Sequence, residues 1–267
     1  ACSSPHFGAP VRIYSPVSAS PAAGRLVLLT ADFDGDGHTD VATLDAAADA
    51  VAILFGDGHG GFVSRTFTPG GSLLAADFDG NGRPDLLVVR SGEMQVVFVG
   101  PDRMLVPGPI TPTSGVVGLS VSGDFDGNGH VDVAVSRSST LGLFFGNGSG
   151  GFDGPHVATL PPPYGASRLE AADFDGDGKA EIAAIVAERR HLSTLVRWNG
   201  SSPDLVTLFG GGQDTYAVAV GDVNGDGLPD LLLGGRYPIG GALVIYRGDR
   251  EKGLVGSSSG LSDIPAV

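Results

Sequence analysis

One nine-residue segment recurs five times in this chain, and it limits the possible folds more than any other feature. It reads Asp-Phe-Asp-Gly-Asp-Gly-His-Thr-Asp over residues 32–40, and its counterparts begin at Asp77, Asp124, Asp173 and Asp222. The starts lie 45, 47, 49 and 49 residues apart. Self-similarity at a near-constant period identifies a repeat architecture, in which each unit buries its core against its neighbours.

Short apolar runs flank every segment. Leu26–Leu29, Leu73–Ala76, Val117–Val121, Leu169–Ala172 and Tyr216–Val220 precede the five loops. Val41–Leu44, Leu86–Val89, Val133–Val135, Ile182–Ile185 and Leu231–Leu233 follow them. These runs have strand length and are bounded by turn formers. A third run then ends at a glycine turn in each unit: Val51–Phe55, Val96–Val99, Leu141–Phe145, Leu195–Trp198 and Leu243–Tyr246. Asn-Gly and Asp-Gly pairs at these ends are hairpin signals. A weaker fourth run follows, as in Gly61–Phe67 and from Gly151 onward.

Four short strands per unit predict an all-β chain, a β-propeller of about five four-stranded blades. The 44 glycines and 18 prolines agree, since that richness opposes long helices. The expected organisation is an N-terminal segment over 1–24, a five-repeat propeller over 25–253, and a tail or outer strand over 254–267. Phe7–Tyr14 resembles a spare fourth strand and is expected to complete the last blade and close the ring.

The loops place oxygen donors at positions one, three, five and nine. These are Asp32, Asp34, Asp36 and Asp40; Asp77, Asp79, Asn81 and Asp85; Asp124, Asp126, Asn128 and Asp132. The fourth and fifth sets are Asp173, Asp175, Asp177 and Glu181, and Asp222, Asn224, Asp226 and Asp230. Glycine at position six lets the backbone bend sharply. Calcium takes six to eight oxygens, a backbone carbonyl at position seven among them in loops of this kind. That carbonyl belongs to His38, Arg83, His130, Lys179 or Leu228. About five calcium ions are therefore expected. Magnesium demands stricter geometry, and zinc wants clustered Cys and His ligands that the loops lack. An EF-hand needs a glutamate at position twelve, where this chain has Thr43, Val88, Val135, Ala184 and Leu233.

The charge agrees with this reading. The net charge is −14, and seventeen of the 30 acidic residues occupy ligand positions. Crowded carboxylates repel unless a cation joins them. The same balance leaves no basic footprint for nucleic acid.

The four Asp-Phe-Asp-Gly-(Asp/Asn)-Gly loops and the fifth, Asp-Val-Asn-Gly-Asp-Gly, with the turns Phe55–Gly58 and Phe145–Gly148, resemble the FG-GAP or VCBS-type repeat family. The resemblance covers nearly the whole chain. It implies a propeller with calcium in the first hairpin loop of each blade, similar to integrin α-subunit heads and to some lectins.

The start Ala1-Cys2-Ser3-Ser4 resembles the end of a bacterial lipoprotein signal, which makes Cys2 an expected lipid-anchor position. No apolar run reaches the length of a membrane-spanning helix. The expected location is secreted, cell-surface or periplasmic. The expected function is a calcium-binding interaction or adhesion module whose partner is a protein or a glycan. A carbohydrate-binding lectin is the alternative, and a hydrolytic enzyme the third reading. The six histidines are scattered and no nucleophile–base–orienter set is evident, so no catalysis is expected. Trp198 aligns with Phe55 and Phe145, which assigns it to core packing. Arg247-Gly248-Asp249 occupies a hairpin end and reads as structural. Pro161–Ala166 and Glu188–His191 depart most from the repeat and are the first places to seek a partner site.

Overall fold

A computed structural model describes residues 28–45, 49–68, 70–90, 92–115, 118–160, 166–185, 192–209, 214–237 and 240–257. Within them the chain is all-β. Five four-stranded antiparallel sheets follow one another. The first holds β1 (Leu28–Ala31), β2 (Asp40–Asp45), β3 (Ala50–Gly56) and β4 (Phe62–Phe67). The second holds β5 (Ser72–Ala76), β6 (Asp85–Arg90), β7 (Glu93–Val99) and β8 (Leu105–Pro112). The third holds β9 (Ser120–Gly123), β10 (Asp132–Arg137), β11 (Thr140–Gly146) and β12 (Phe152–Thr159). The fourth holds β13 (Arg168–Ala172), β14 (Glu181–Ile185), β15 (Leu192–Trp198) and β16 (Pro203–Phe209). The fifth holds β17 (Asp214–Gly221), β18 (Asp230–Tyr237), β19 (Gly240–Asp249) and β20 (Gly253–Ser257). Each sheet is a meander in sequence order, the blade of a β-propeller.

The first strands of successive blades neighbour one another in order, β1 beside β5, β5 beside β9, β9 beside β13 and β13 beside β17. Second and third strands are buried along nearly their whole length, as in β3, β6 and β10. Outer strands face solvent, as in β4 and β8. The reason is that in blades two, three and four both faces of the sheet are covered by neighbouring blades, so the middle strands read as continuous apolar runs. The side-chain period of two then sends alternate residues to opposite seams. Leu86 and Val88 pack toward the first blade, and Leu87 and Val89 toward the third. Four apolar clusters fill the seams between blades one and two, two and three, three and four, and four and five.

Position two of each loop supplies a seam's end cap. Phe33, Phe78, Phe125 and Phe174 are all buried. Val223, with no sixth blade after it among the described residues, is 53% exposed. The fourth place in the fifth blade is filled by β20, which pairs with β19 from Ile245↔Ser257 to Asp249↔Gly253. The propeller therefore runs past the expected end at 253, and this strand comes from the segment expected as a tail or outer strand. Gly253 lets the chain reverse at φ 75, and Leu254 anchors the strand in the last seam. Phe7–Tyr14, Cys2, residues 161–165 and residues 188–191 lie outside the described residues. Among the described residues no helix is long and apolar enough to cross a membrane.

Candidate metal centres

Every acidic loop joins the first strand of its blade to the second. The loop is wound by its own carboxylates. In loop one, Asp32 accepts backbone N–H groups from Gly35 and Asp36 on Oδ1 and from Gly37 on Oδ2, at 2.8, 3.1 and 2.9 Å. The bonds from positions four and six recur in all five loops, at Asp77, Asp124, Asp173 and Asp222. Position three accepts the N–H of position five in every loop, at Asp34, Asp79, Asp126, Asp175 and Asn224. Position five accepts the N–H of position seven, at Asp36, Asn81, Asn128, Asp177 and Asp226. Because that role needs only an oxygen acceptor, Asp and Asn interchange there.

This winding forces two left-handed turns. Gly35 sits at φ 76 and Gly37 at φ 86, and the same pair recurs in each loop. The glycine at position four is thus as necessary as the one at position six, a point the sequence reading passed over although the residue is repeated five times.

Position nine does a different job from the others. It is the first residue of the second strand, between covered faces, so Asp40, Asp85, Asp132 and Asp230 are fully buried and Glu181 nearly so. Its carboxylate accepts the N–H of position two, from Phe33, Phe78, Phe125, Phe174 and Val223. The second oxygen accepts an N–H at the end of the third strand, from Gly56, Val99, Gly146 or Gly248. These acids staple the loop to the blade. Burial pushes Asp85 and Asp132 up to about 6 and Glu181 up to about 7, against the pull of their backbone donors. Asp40 is raised for the same reason. Asp222, in the exposed fifth loop, is lowered by donation from Gly227 and then Gly225.

Carboxylate oxygens gather in four loops. Asp32, Asp34 and Asp36 form one group; Asp77, Asp79 and Asp85 a second; Asp124, Asp126 and Asp132 a third; Asp173, Asp175 and Glu181 a fourth. Within each group the ligand atoms lie within 4.8 Å of one another. All-oxygen donors gathered this closely suit a hard divalent cation such as calcium, which bonds oxygen at about 2.3–2.6 Å. In loop five the Asn224 amide donates to Asp226 at 2.7 Å, and no such group forms among the described residues.

The position-seven side chains have their own uses. His38 and His130 lie over the glycine turns at Gly58 and Gly148 of their own blades, and neither joins a carboxylate group. Arg83, Lys179 and Leu228 reach back onto Gly35, Gly127 and Gly176 of the preceding loops.

Two arginines escaped the sequence reading because they stand outside the repeat. Arg103, in the turn after β7, donates from Nε to Asp34 at 2.6 Å and from Nη2 to Asp36 at 3.0 Å. Arg197, on β15, lies 3.6 Å from Asp175. Trp198 packs on the third seam, where its ring lies 4.8 Å from Phe145 and 5.2 Å from His156. The Arg247–Asp249 tripeptide is a strand end: Gly248 is buried and donates to Asp230, and Asp249 accepts from Glu251 and Lys252.

Comparison with known proteins bears on the same loops. The FG-GAP-like repeat matches residues 32–88 and 124–184, and the FG-GAP repeat matches residues 215–246. No curated protein sequence matches the chain. Among solved structures it resembles an Agrocybe aegerita lectin that recognises non-reducing terminal N-acetylglucosamine, with 18% identity and a TM-score of 0.58. That match covers 84% of this chain and 64% of the lectin, so the chain spans just under two thirds of its length. The Vibrio cholerae biofilm matrix protein Bap1 is similar over 84% of this chain and 37% of its own, at 17% identity and a TM-score of 0.48. The likeness to the lectin supports the propeller fold.

Proposed function

The chain belongs to the FG-GAP repeat family, and from that premise we propose that it is a calcium-stabilised extracellular or cell-surface propeller that binds a protein or a glycan without catalysis. The observation that carries the calcium reading is the same wound loop, five times over, with three carboxylates gathered in four of them. Asp32, Asp77, Asp124 and Asp173 at position one would share each ion with position three and either position five or position nine, and the carbonyl of position seven would add a backbone ligand. When bound, the ion supplies positive charge that offsets carboxylate repulsion and so adds to folding stability. Five divalent ions would reduce the formal charge from −14 to −4. A lipid on Cys2 belongs to the same surface-exposed reading.

Thermal melting tests it. Calcium should raise Tm by several degrees over chelator, and magnesium at equal concentration should raise it far less. Equal effects of the two ions, or none, would reject a calcium role.

A glycan is the favoured ligand class on one observation. Trp198, His156 and Phe145 stack at the seam of blades three and four, with Asp153 accepting from His156 at 3.2 Å. The part-exposed rings of Trp198 and His156, backed by buried Phe145 and beside a carboxylate, suit a sugar, whose C–H face stacks while its hydroxyls donate. A glycan array run in calcium, with Trp198→Ala as the comparison, would detect binding that this variant loses. Binding unchanged by Trp198→Ala would move the site elsewhere.

A further inference from the structure

The four gathered loops differ in what faces them. Loop one is gripped by Arg103, whose guanidinium forks between Asp34 and Asp36 while lying 5.5 Å over the ring of Phe55. The Asp34 side chain is only 2% exposed, so this pair is sheltered from solvent screening. Arg103 is delivered by a tight turn, closed by Gly100 N–H donation to Met104 and Arg103 N–H donation to Gly100, with Arg103 itself at φ 64. That turn belongs to blade two, so the fork spans the seam to blade one. Loop four is faced by Arg197, whose buried Nε and Nη2 make no hydrogen bond, and whose Nη2 lies 3.6 Å from Asp175. Loops two and three are different. Among the described residues no ion pair reaches their carboxylates. Loop two instead meets the glycine turn of blade three, where Gly150 donates to the carbonyl of Phe78.

A divalent ion entering loops two or three meets carboxylates that no ion pair compensates, the Lys179 side chain lying over Gly127 of loop three without pairing with one. One entering loop one meets a forked guanidinium that already satisfies part of the ligand set and does not rearrange cheaply, and one entering loop four meets a guanidinium held 3.6 Å from Asp175 without a hydrogen bond. We propose that Arg103 and Arg197 are built-in counter-cations, so that calcium fills loops two and three first and enters loops one and four only by displacing a guanidinium. The inference rests on the calcium reading above. Its consequence at loop one is mechanical: with calcium absent, Arg103 ties blade two to blade one, and calcium at high concentration replaces that tie.

The position-six glycine amides report each loop separately, since each donates to its own position-one carboxylate. Calcium is titrated into the full chain while the amide resonances of Gly37, Gly82, Gly129 and Gly178 are followed by NMR. Gly82 and Gly129 should shift at calcium concentrations about tenfold or more below those that shift Gly37 and Gly178. Arg103→Gln should move Gly37 into the early group and leave Gly82 in place, and Arg197→Gln should do the same for Gly178. All four amides moving together in the wild-type chain, or Gly37 moving first, would overturn the proposal without touching the calcium reading. No shift at any calcium concentration would overturn both. The wild-type order needs no variant to fold, so it decides the matter alone.

Discussion

At the scale of single residues, the acid at position nine is the most consequential side chain in each repeat. Asp132 is fully buried and accepts from Phe125 and Gly146, at 2.7 Å each. Asp132→Ala strands both donors in the interior, a loss of about 3 kcal/mol. Urea unfolding in calcium will measure it, and Asp132→Asn, which keeps an acceptor, should lose less. The position-six glycine offers a cleaner backbone test. Gly82 sits at φ 83 with open space where a Cβ would go. Gly82→Ala therefore probes conformation alone and should cost about 1–2 kcal/mol by the same unfolding measurement. The buried acids also set a pH dependence. Because burial raises them, the folded metal-free chain holds protons that the unfolded chain has released. Their stabilising contribution is full below about pH 4, the ordinary carboxylate range. It is lost as pH rises through about 6 for Asp85 and Asp132 and about 7 for Glu181. In chelator, Tm should fall between about pH 4 and pH 7, and the stabilisation by calcium should grow over the same span.

At the scale of elements, the blade is stable only in company. The middle strands of blades two, three and four are apolar on both faces, and each face is completed by a neighbour. Phe144 shows the dependence. It stands on β11 of blade three, fully buried, and packs with Leu87, Val89, Met94 and Val96 of blade two. Phe144→Ala should cost about 3–5 kcal/mol. Hydrogen exchange should then rise in β6 and β7 as well as in β10 and β11, since the cavity opens the seam between two sheets. Exchange confined to blade three would show that the blades are energetically independent. The loops were legible at this scale because their spacing alternates with strand-length runs. Their staples were not, because Asp132 and Gly146 are fourteen residues apart and meet only when β10 and β11 pair.

At the scale of the whole molecule, repetition creates sites that are alike in sequence and unlike in surroundings. The five loops share one winding pattern. Yet Arg103 faces the first, a glycine turn the second, and Arg197 the fourth. The same holds for the third-strand aromatics. Phe55 lies in the first seam with Arg103 above it, whereas Phe145 meets Trp198 and His156 in the third. Binding functions on propellers are carried by such departures from the repeat, since the repeated part is committed to packing. The seam of blades three and four is therefore where Trp198→Ala should alter ligand binding while leaving calcium stabilisation unchanged.

Local chemistry was readable along the chain. Strand-length apolar runs and glycine-bent acidic loops depend on residues close together in the chain, and their recurrence every 45 to 49 residues led to a propeller with oxygen-rich loops. What lay beyond reach were relations set by packing. The arginine that crosses from blade two to loop one is separated from its carboxylates by 67 to 69 residues. The outer strand of the last blade is chosen by which segment can pair with β19, and β20 has little apolar pattern to announce it. Burial of the position-nine acids comes from the pairing of strands and the stacking of sheets on one another, which no single loop contains.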